Sequence, residues 1–268
     1  MNPRNIKYLF LALPFLAACD DIAEEDRLTG PIEFTPMKNV LVEDFTGQRC
    51  VNCPRAAEAL KAIQKTYGAE HVISVAIHGG GNTNSFPVPY GLANSEGEDY
   101  ISHWGIVQLG FPKGIVDRTN DILNYPAWSA RVVERLQMVP KVELSAQAVS
   151  NAEEGRIDIT VEVEATNKEA VDGNLQVWLV ESHILGYQSM PGGQPADLKY
   201  EHNHVFRASV NGAWGEHVVV PASGILSQTF SYEPQDYWKV ENMSVIAFVY
   251  NDAEGVLQVT ETKMETNN

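Results

Sequence analysis

The chain has 3 cysteines in 268 residues and a single C-x-x-C. With no second C-x-x-C, a structural zinc site of the paired-motif kind is excluded, because zinc would need two further ligands of diagnostic spacing. Positive charge is also scarce. The formal net charge is −16 and the pI near 4.8, and no basic cluster offsets them, so nucleic acid is set aside as a partner. No apolar run is long enough to cross a bilayer, which takes about 20 residues. The three glycines Gly79 to Gly81 lack the Gly-Lys-Ser/Thr that completes a phosphate loop and open no helix, so they read as a flexible turn. Apolar residues are not scarce. At 44% they suffice for packed cores, and the length suggests about two domains.

The chain is organised around VLVEDFTGQRCVNCP, Val40 to Pro54. Val40 to Val42 reads as a buried strand that Gly47 breaks. Pro54 to Ile63 begins a helix predicted to run to about residue 67, with Pro54 in the first turn, where proline is tolerated. Cys50 and Cys53 therefore lie between a strand and a helix N-terminus, where the helix dipole stabilises a thiolate. Thiol–disulfide exchange needs an exposed thiolate and a resolving thiol close behind it. Cys50 is the expected nucleophile, with Arg49 beside it to favour the thiolate, and Cys53 the resolving thiol. The competing reading is an inert structural disulfide, and a metal site is a distant third. A bridge over so short a loop stabilises by only about 2 kcal/mol in the chain-entropy picture, which tilts the choice toward exchange.

Before this stretch, Arg4 and Lys7 precede the short apolar core Tyr8 to Leu16, interrupted by Pro14, as in an export signal over residues 1–18. Leu16-Ala17-Ala18-Cys19 resembles a bacterial lipobox, cleaved before a lipidated Cys19; the bland alternative is an ordinary signal peptide with a chance cysteine. If Cys19 takes lipid, Cys50 and Cys53 remain as a pair with no odd thiol, in a compartment that favours their oxidation. Residues 19–38 are acidic and carry Gly30, Pro31 and Pro36, which predicts a flexible tether. Acidic residues directly after Cys19 resemble a surface-export tag, and a solvated spacer explains them equally well.

After the helix, His71 to His78 reads as a second buried strand, parallel to the first. Sites in such sheets gather at the carboxyl edge, so His78 is a candidate neighbour of Cys50. Residues 82–99 are rich in proline and glycine and are expected as ordered loop, shaping a groove near the cysteines or covering apolar surface. A short helix over Tyr100 to Val107, a strand starting at Ile115-Val116-Asp117 and a helix over Ala127 to Gln137 complete this half. Past Pro140 the pattern alternates with period two. Val142, Leu144, Ala146 and Ala148 share one face, and Ile157, Ile159, Val161 and Val163 another. Further strands are expected at Leu175 to Leu179, Glu216 to Val220, Gln228 to Tyr232 and Ser244 to Tyr250. Breakers are expected at 151–155, at Asp172-Gly173-Asn174, at Asn211-Gly212 and at 251–255. Short strands between turns indicate a β-sandwich of immunoglobulin-like type. Gln188 to Asp197 reads as a long exposed loop. His202 and His204 in EHNHVFR fall on one side of a strand, where His183 could join them on a metal; the alternative, that they make hydrogen bonds, is preferred for want of a diagnostic partner. Asn251 to Gly255 resembles half a calcium loop and reads as a hairpin turn.

The cysteine stretch resembles the thioredoxin superfamily: Asp44-Phe45 matches the Asp-Phe pair of the active-site strand, and Gly110-Phe111-Pro112 the cis-proline loop. The wider arrangement resembles one family, the outer-membrane lipoproteins called outer membrane protein twenty-eight, through VEDFTGQRCVNCP, VISVAIH, GFPKGIVDR and EHNHVFR. That resemblance implies a thioredoxin-like domain at 39–139, α/β, followed by an all-β domain at 140–268. It implies that Asp44 handles the proton of the inner thiol and that Pro112 holds the substrate backbone. Arg49 in place of the usual tryptophan, Val51-Asn52 in place of Gly-Pro and Lys113 in place of a common threonine leave potential and substrate open. The function expected is thiol–disulfide exchange or disulfide-linked protein binding by a lipoprotein of the outer membrane, held to lipid through Cys19, with no cofactor and no metal. The rival is a non-catalytic surface or adhesion protein whose Cys50–Cys53 disulfide is structural.

Overall fold

The computed structural model describes residues 37–266; the expected signal, Cys19 and most of the expected tether lie outside the described residues. The elements run β1 (Val40–Thr46), α1 (Cys53–Tyr67), β2 (Val72–His78), α2 (Ser95–His103), α3 (Ile106–Leu109), β3 (Lys113–Val116), β4 (Ile122–Leu123) and α4 (Trp128–Leu136). Strands then dominate: β5 (Val142–Asn151), β6 (Arg156–Ala165), β7 (Val171–Glu181), β8 (Ile184–Gln188), β9 (Asp197–His202), β10 (Val205–Ser209), β11 (Glu216–Val220), β12 (Ile225–Tyr232), β13 (Met243–Asn251), β14 (Gly255–Lys263) and β15 (Glu265–Thr266). The fold is mixed α/β with strand the larger part.

Among the described residues, nine strands form one sheet in the order β14-β13-β7-β10-β2-β1-β3-β4, with β11 beside β7. The sheet takes strands from both sides of residue 140. β1 and β2 are parallel, Val40 opposite Val72 and Thr46 opposite His78, and β3 runs antiparallel to β1. Alternation sorts their side chains to two faces. Leu41, Phe45, Ile73, Val75 and Ile77 join Tyr100, Ile101 and Ile106 in one core with Trp178, Phe206 and Phe248. Asp44, Ser74, Ala76 and His78 share a cavity with Leu60 and Gln64 of α1 on the other face. Gly114 is also on that side: a Cβ there would lie 2.5 Å from the Trp128 ring of α4, so the close packing of β3 on α4 requires glycine.

A four-stranded sheet, β12-β6-β5-β15, covers the far part of the large sheet. Ile157, Ile159, Val161 and Val163 meet Leu175, Val177, Leu179, Val245 and Ala247 in a second core. The expected periodicity of β5 and β6 is present, with Val142 and Ala148 buried and Glu143, Ser145 and Gln147 exposed.

Five local expectations are overturned. Asp172-Gly173-Asn174 does not break the chain but lies inside β7, because β11 pairs along it from Val220 opposite Val171 to Glu216 opposite Leu175. Gly173 is there because the Tyr250 carbonyl of β13 approaches to 2.7 Å of where a Cβ would be. Residues 95–99 are helix rather than loop: Asn94 caps α2 by accepting from the Gly97 N–H at 2.8 Å, and left-handed Gly105 (φ 63°) separates it from α3. Asp117 is not strand; it sits at φ 52° and turns its carboxylate onto the Leu41 N–H at 2.8 Å. Gln188 to Asp197 is not all exposed loop, since Gln188 opposite Asp197 closes the unforeseen β8–β9 hairpin and is buried. His202 and His204 do not share a strand face: His202 ends β9, and His204, at φ 49°, turns the chain into β10.

Candidate functional site

β1 delivers the chain to the cysteines at Thr46. Gly47 follows where a Cβ would fall 2.1 Å from the Asn84 side-chain nitrogen, so only glycine lets the 79–94 segment close over the turn. The Cys50 N–H bonds the Gly47 carbonyl at 3.1 Å, and the Arg49 N–H bonds Asn84 O at 2.8 Å. Cys53 opens α1, with Pro54 beside it and no side-chain cap from Asn52. The two cysteines form a disulfide with Cα atoms 5.4 Å apart. Cys50 is 9% exposed and Cys53 2%, so a partner reaches the Cys50 residue first.

Behind Cys53 lies a cavity of about 80 Å³ lined by Asp44, Thr46, His78, Gln188, Tyr200 and His202, among others. By free volume it has room for a few waters. Asp44 is buried and its Oδ1 has no hydrogen-bond partner among the described residues; burial pushes its carboxyl up to about 8, so it exchanges a proton near neutral pH. His78 Nδ1 is equally unpartnered. Burial holds this imidazole well below its ordinary value, with His202 adding to the effect. Burial likewise lowers His202 to about 4. The two rings meet edge-on with centroids 5.4 Å apart. Neutral His202 donates from Nε2 to the Tyr187 carbonyl at 3.3 Å, and Tyr200 packs on it at 4.9 Å.

The β8–β9 hairpin roofs this arrangement. Gln188 Nε2 donates to the carbonyls of Cys50 (3.0 Å), Ser189 (3.1 Å) and Gly47 (3.3 Å). Gln48 answers from the cysteine turn: its Oε1 accepts from Leu92 N at 3.1 Å, its Nε2 donates to Tyr187 O at 3.4 Å, and its carbonyl accepts from Ser189 N at 2.8 Å. Nothing in the sequence marks Gln48, Gln188 or Tyr200. They are neutral, Gln48 has no assigned role within the VEDFTGQRCVNCP segment that contains it, and about 140 residues separate the two glutamines. The EHNH segment was the available signal, since it brings His202 to the cavity.

On the other side of the turn, the Phe111–Pro112 peptide is cis. Pro112, Phe111 and Lys113 face Asn52, Arg55, Asn124 and Tyr125 across an open groove of about 480 Å³. Arg49 is exposed; its Nη1 donates to Asn82 O at 2.5 Å and its guanidinium lies 5.4 Å over the Phe86 ring. Part of its charge is thus spent on the 79–94 segment. The three-glycine turn holds an anion of its own: Glu98 accepts from Gly80 N at 3.0 Å and Gly81 N at 2.9 Å. His183 pairs with Glu201 at 2.8 Å and His204 with Glu261 at 3.1 Å. No group of three or more metal-ligating side chains converges among the described residues.

The chain belongs to the family described as outer membrane protein Omp28, whose profile matches residues 98–268. That membership places it at the outer membrane, and no described helix is long and apolar enough to cross a bilayer. Among solved structures it is similar to HBP35 of Porphyromonas gingivalis, at 17% identity and a TM-score of 0.62, covering 87% of this chain and 77% of that one. A protein from Agrobacterium tumefaciens aligns at 16% identity and a TM-score of 0.51 over 86% of this chain and 96% of that one. These two likenesses are of fold. A domain of the outer membrane lipoprotein Omp28 from Porphyromonas gingivalis aligns at 23% identity over 49% of this chain and 93% of that one, with a TM-score of 0.37. No curated protein matches the sequence.

Proposed function

We propose that this outer-membrane protein is a thiol–disulfide exchange protein with a thioredoxin-like site in residues 39–139 and an immunoglobulin-like sandwich in 140–268, anchored to lipid through Cys19. The observation that carries the reading is the placement of Cys53 and an unpartnered, buried Asp44 on one small cavity behind an oxidised C-x-x-C at a helix start. A staple has no use for an acid whose proton leaves near pH 8; a resolving thiol does, because it must lose its proton before it attacks.

In the reducing direction the Cys50 thiolate attacks a substrate disulfide and one substrate thiolate leaves. Cys53 passes its proton to Asp44 and attacks Cys50 Sγ. The second substrate thiolate leaves, the Cys50–Cys53 disulfide forms, and two electrons have passed to the substrate. The reverse sequence oxidises a substrate dithiol. The substrate is a protein thiol or disulfide laid along the Pro112 groove, where Asn52, Arg55 and Lys113 supply polar contacts.

The second reading, a non-catalytic surface or adhesion protein, draws on one observation. Cys50 is almost covered, and Gln188 pins its carbonyl. Trapping separates the two. Cys53→Ser, expressed in its own envelope, should accumulate partner proteins disulfide-linked through Cys50 on non-reducing gels, and Cys50→Ser should accumulate few. If neither forms adducts and the wild-type pair stays oxidised throughout, the protein is not an exchanger and the binding role stands. Cys19→Ala tests the anchor, by loss of metabolic lipid label.

A further inference from the structure

β12 is the outer strand of the small sheet. Among the described residues it pairs with β6 alone, from Ile225 opposite Glu164 to Tyr232 opposite Ile157, with no register shift. No backbone bond from any other described element reaches it, so the groups on its far side are left to water. Its side chains alternate. Leu226, Phe230 and Tyr232 pack against the sandwich core, while Ile225, Ser227, Thr229 and Ser231 are exposed. Such an edge is a template for a further strand, and proteins guard their edges with charge, proline, a bulge or a cover. The β12 sequence ILSQTFSY has neither charge nor proline. Edges of the large sheet are treated differently. On β14, Val256 N donates to the Asp117 carbonyl at 2.7 Å and Val259 O accepts from Asn39 Nδ2 at 3.0 Å. β11 opens with Glu216 and His217.

The neighbouring strand sets the chemistry of a partner. β6 presents Glu162 and Glu164 to solvent, directly beside Ser227 and Ile225 of β12. Glu164 also faces Glu143 of β5. Like charges opposite each other on a sheet repel, and none of these three glutamates has an ion-pair partner among the described residues. Together they line a surface hollow of about 190 Å³ with Ile225 at its margin. The one cation of β6, Arg156, is held at the other end of the strand by Asp158 at 2.9 Å. A strand added to β12 stands two strand spacings, about 10 Å, from β6. From there a lysine or arginine lays its apolar stem over Ile225 and puts its charge in the hollow. A second copy of this chain is a poorer occupant, because it brings the same glutamates and a net charge of −16.

We propose that β12 is the docking edge for an extended basic segment of a partner protein. The segment adds to the small sheet as a further strand, with lysine or arginine alternating on its solvent side and apolar residues continuing the rail of Leu226 and Phe230. Backbone bonds supply the attachment and the glutamates select the charge. No residue of the cysteine site takes part, and the docking does not depend on exchange chemistry.

The probe is a fluorophore-labelled peptide of alternating lysine and valine, long enough to match β12, titrated into the full-length protein in detergent and read by anisotropy. Saturable binding below about 1 mM is expected, with slowed amide hydrogen exchange confined to Ile225–Tyr232 and the strand beside it. The same peptide with every backbone amide methylated keeps the charge and loses the donors, and should bind at least about tenfold weaker. Glu162→Gln combined with Glu164→Gln should weaken the unmethylated peptide by about fivefold. Both substitutions lie on the solvent face and leave the core contacts in place. The proposal is wrong if the peptide does not saturate, if the methylated peptide binds as tightly, if protection falls elsewhere, or if the double variant binds like wild type. Protection of β12 that rises with protein concentration in the absence of peptide would also overturn it, by giving the edge to a second copy. Only the double-variant outcome needs an altered chain to fold.

Discussion

Glu43 and Asp44 show how much one peptide unit decides. Adjacent on β1, they emerge on opposite faces, and each is a buried acid. Glu43 is raised by burial and pulled back by Arg118, whereas Asp44 has no such counter-charge and rises to about 8. Asp44 therefore carries a linkage signature. Its folded value lies above its ordinary 3.8, so its contribution to stability is complete below about pH 4 and is lost as pH rises through 8. Asp44→Asn removes that penalty. Compared with wild type across pH 4 to 8 in urea titrations, the variant should gain relative stability, on the order of a few kcal/mol at the alkaline end. The same variant should slow resolution of the mixed disulfide by roughly 10² and flatten its pH dependence. A side chain that only fills space would leave the pH profile where it was.

At the scale of elements, β1, α1 and β2 are readable in advance, because each is a contiguous pattern: an apolar run, a helix opened by Pro54, a second apolar run. Their parallel pairing follows from the order alone. Asp44 was legible only through its likeness to a known strand, since an acid in VLVEDF has no local signal that it will be buried unpaired. The β8–β9 hairpin was not legible. DLKYEH is mostly exposed and ILGYQ mostly half-buried, and what fixes them is docking on the cysteine turn, a contact spanning about 140 residues. Asp172-Gly173-Asn174 misled for the converse reason: turn-forming residues are forced into strand by β11 and β13 on either side. The hairpin's hold should be measurable. Gln188→Ala withdraws three donor contacts and leaves the Cys50 carbonyl without its side-chain partner, at a cost of about 2 kcal/mol. Reduction of the Cys50–Cys53 bond by dithiothreitol should become several-fold faster, as the roof lifts from the sulfur. An unchanged reduction rate would mean that the hairpin does not control access.

The whole molecule is tied across residue 140 by the continuous sheet and by one carboxylate. Asp117 follows β3, accepts from Lys38 Nζ at 2.7 Å and Arg135 Nε at 2.7 Å, and holds the Leu41 N–H. Its carbonyl accepts from Val256 N at 2.7 Å. Lys38 and Arg135 in turn both donate to the Val256 carbonyl, at 2.6 and 3.0 Å. Gly255 is needed at that junction, because a Cβ would fall 2.0 Å from Asp117 O. The start of β1, the end of β3, the last turn of α4 and the β13–β14 hairpin thus converge on a single buried anion. Asp117→Asn removes that charge while keeping the shape, leaving Lys38 and Arg135 as buried cations without a counter-charge. Breaking a buried pair in this way costs about 3–5 kcal/mol. The shared sheet makes a stronger claim than the cost. If the two halves are one cooperative unit, wild type should unfold in urea in one transition, coincident by far-UV circular dichroism and tryptophan fluorescence, and Asp117→Asn should move that transition to lower urea without splitting it. Two separated transitions in wild type would show that the halves on either side of residue 140 melt independently, in spite of the strands they share.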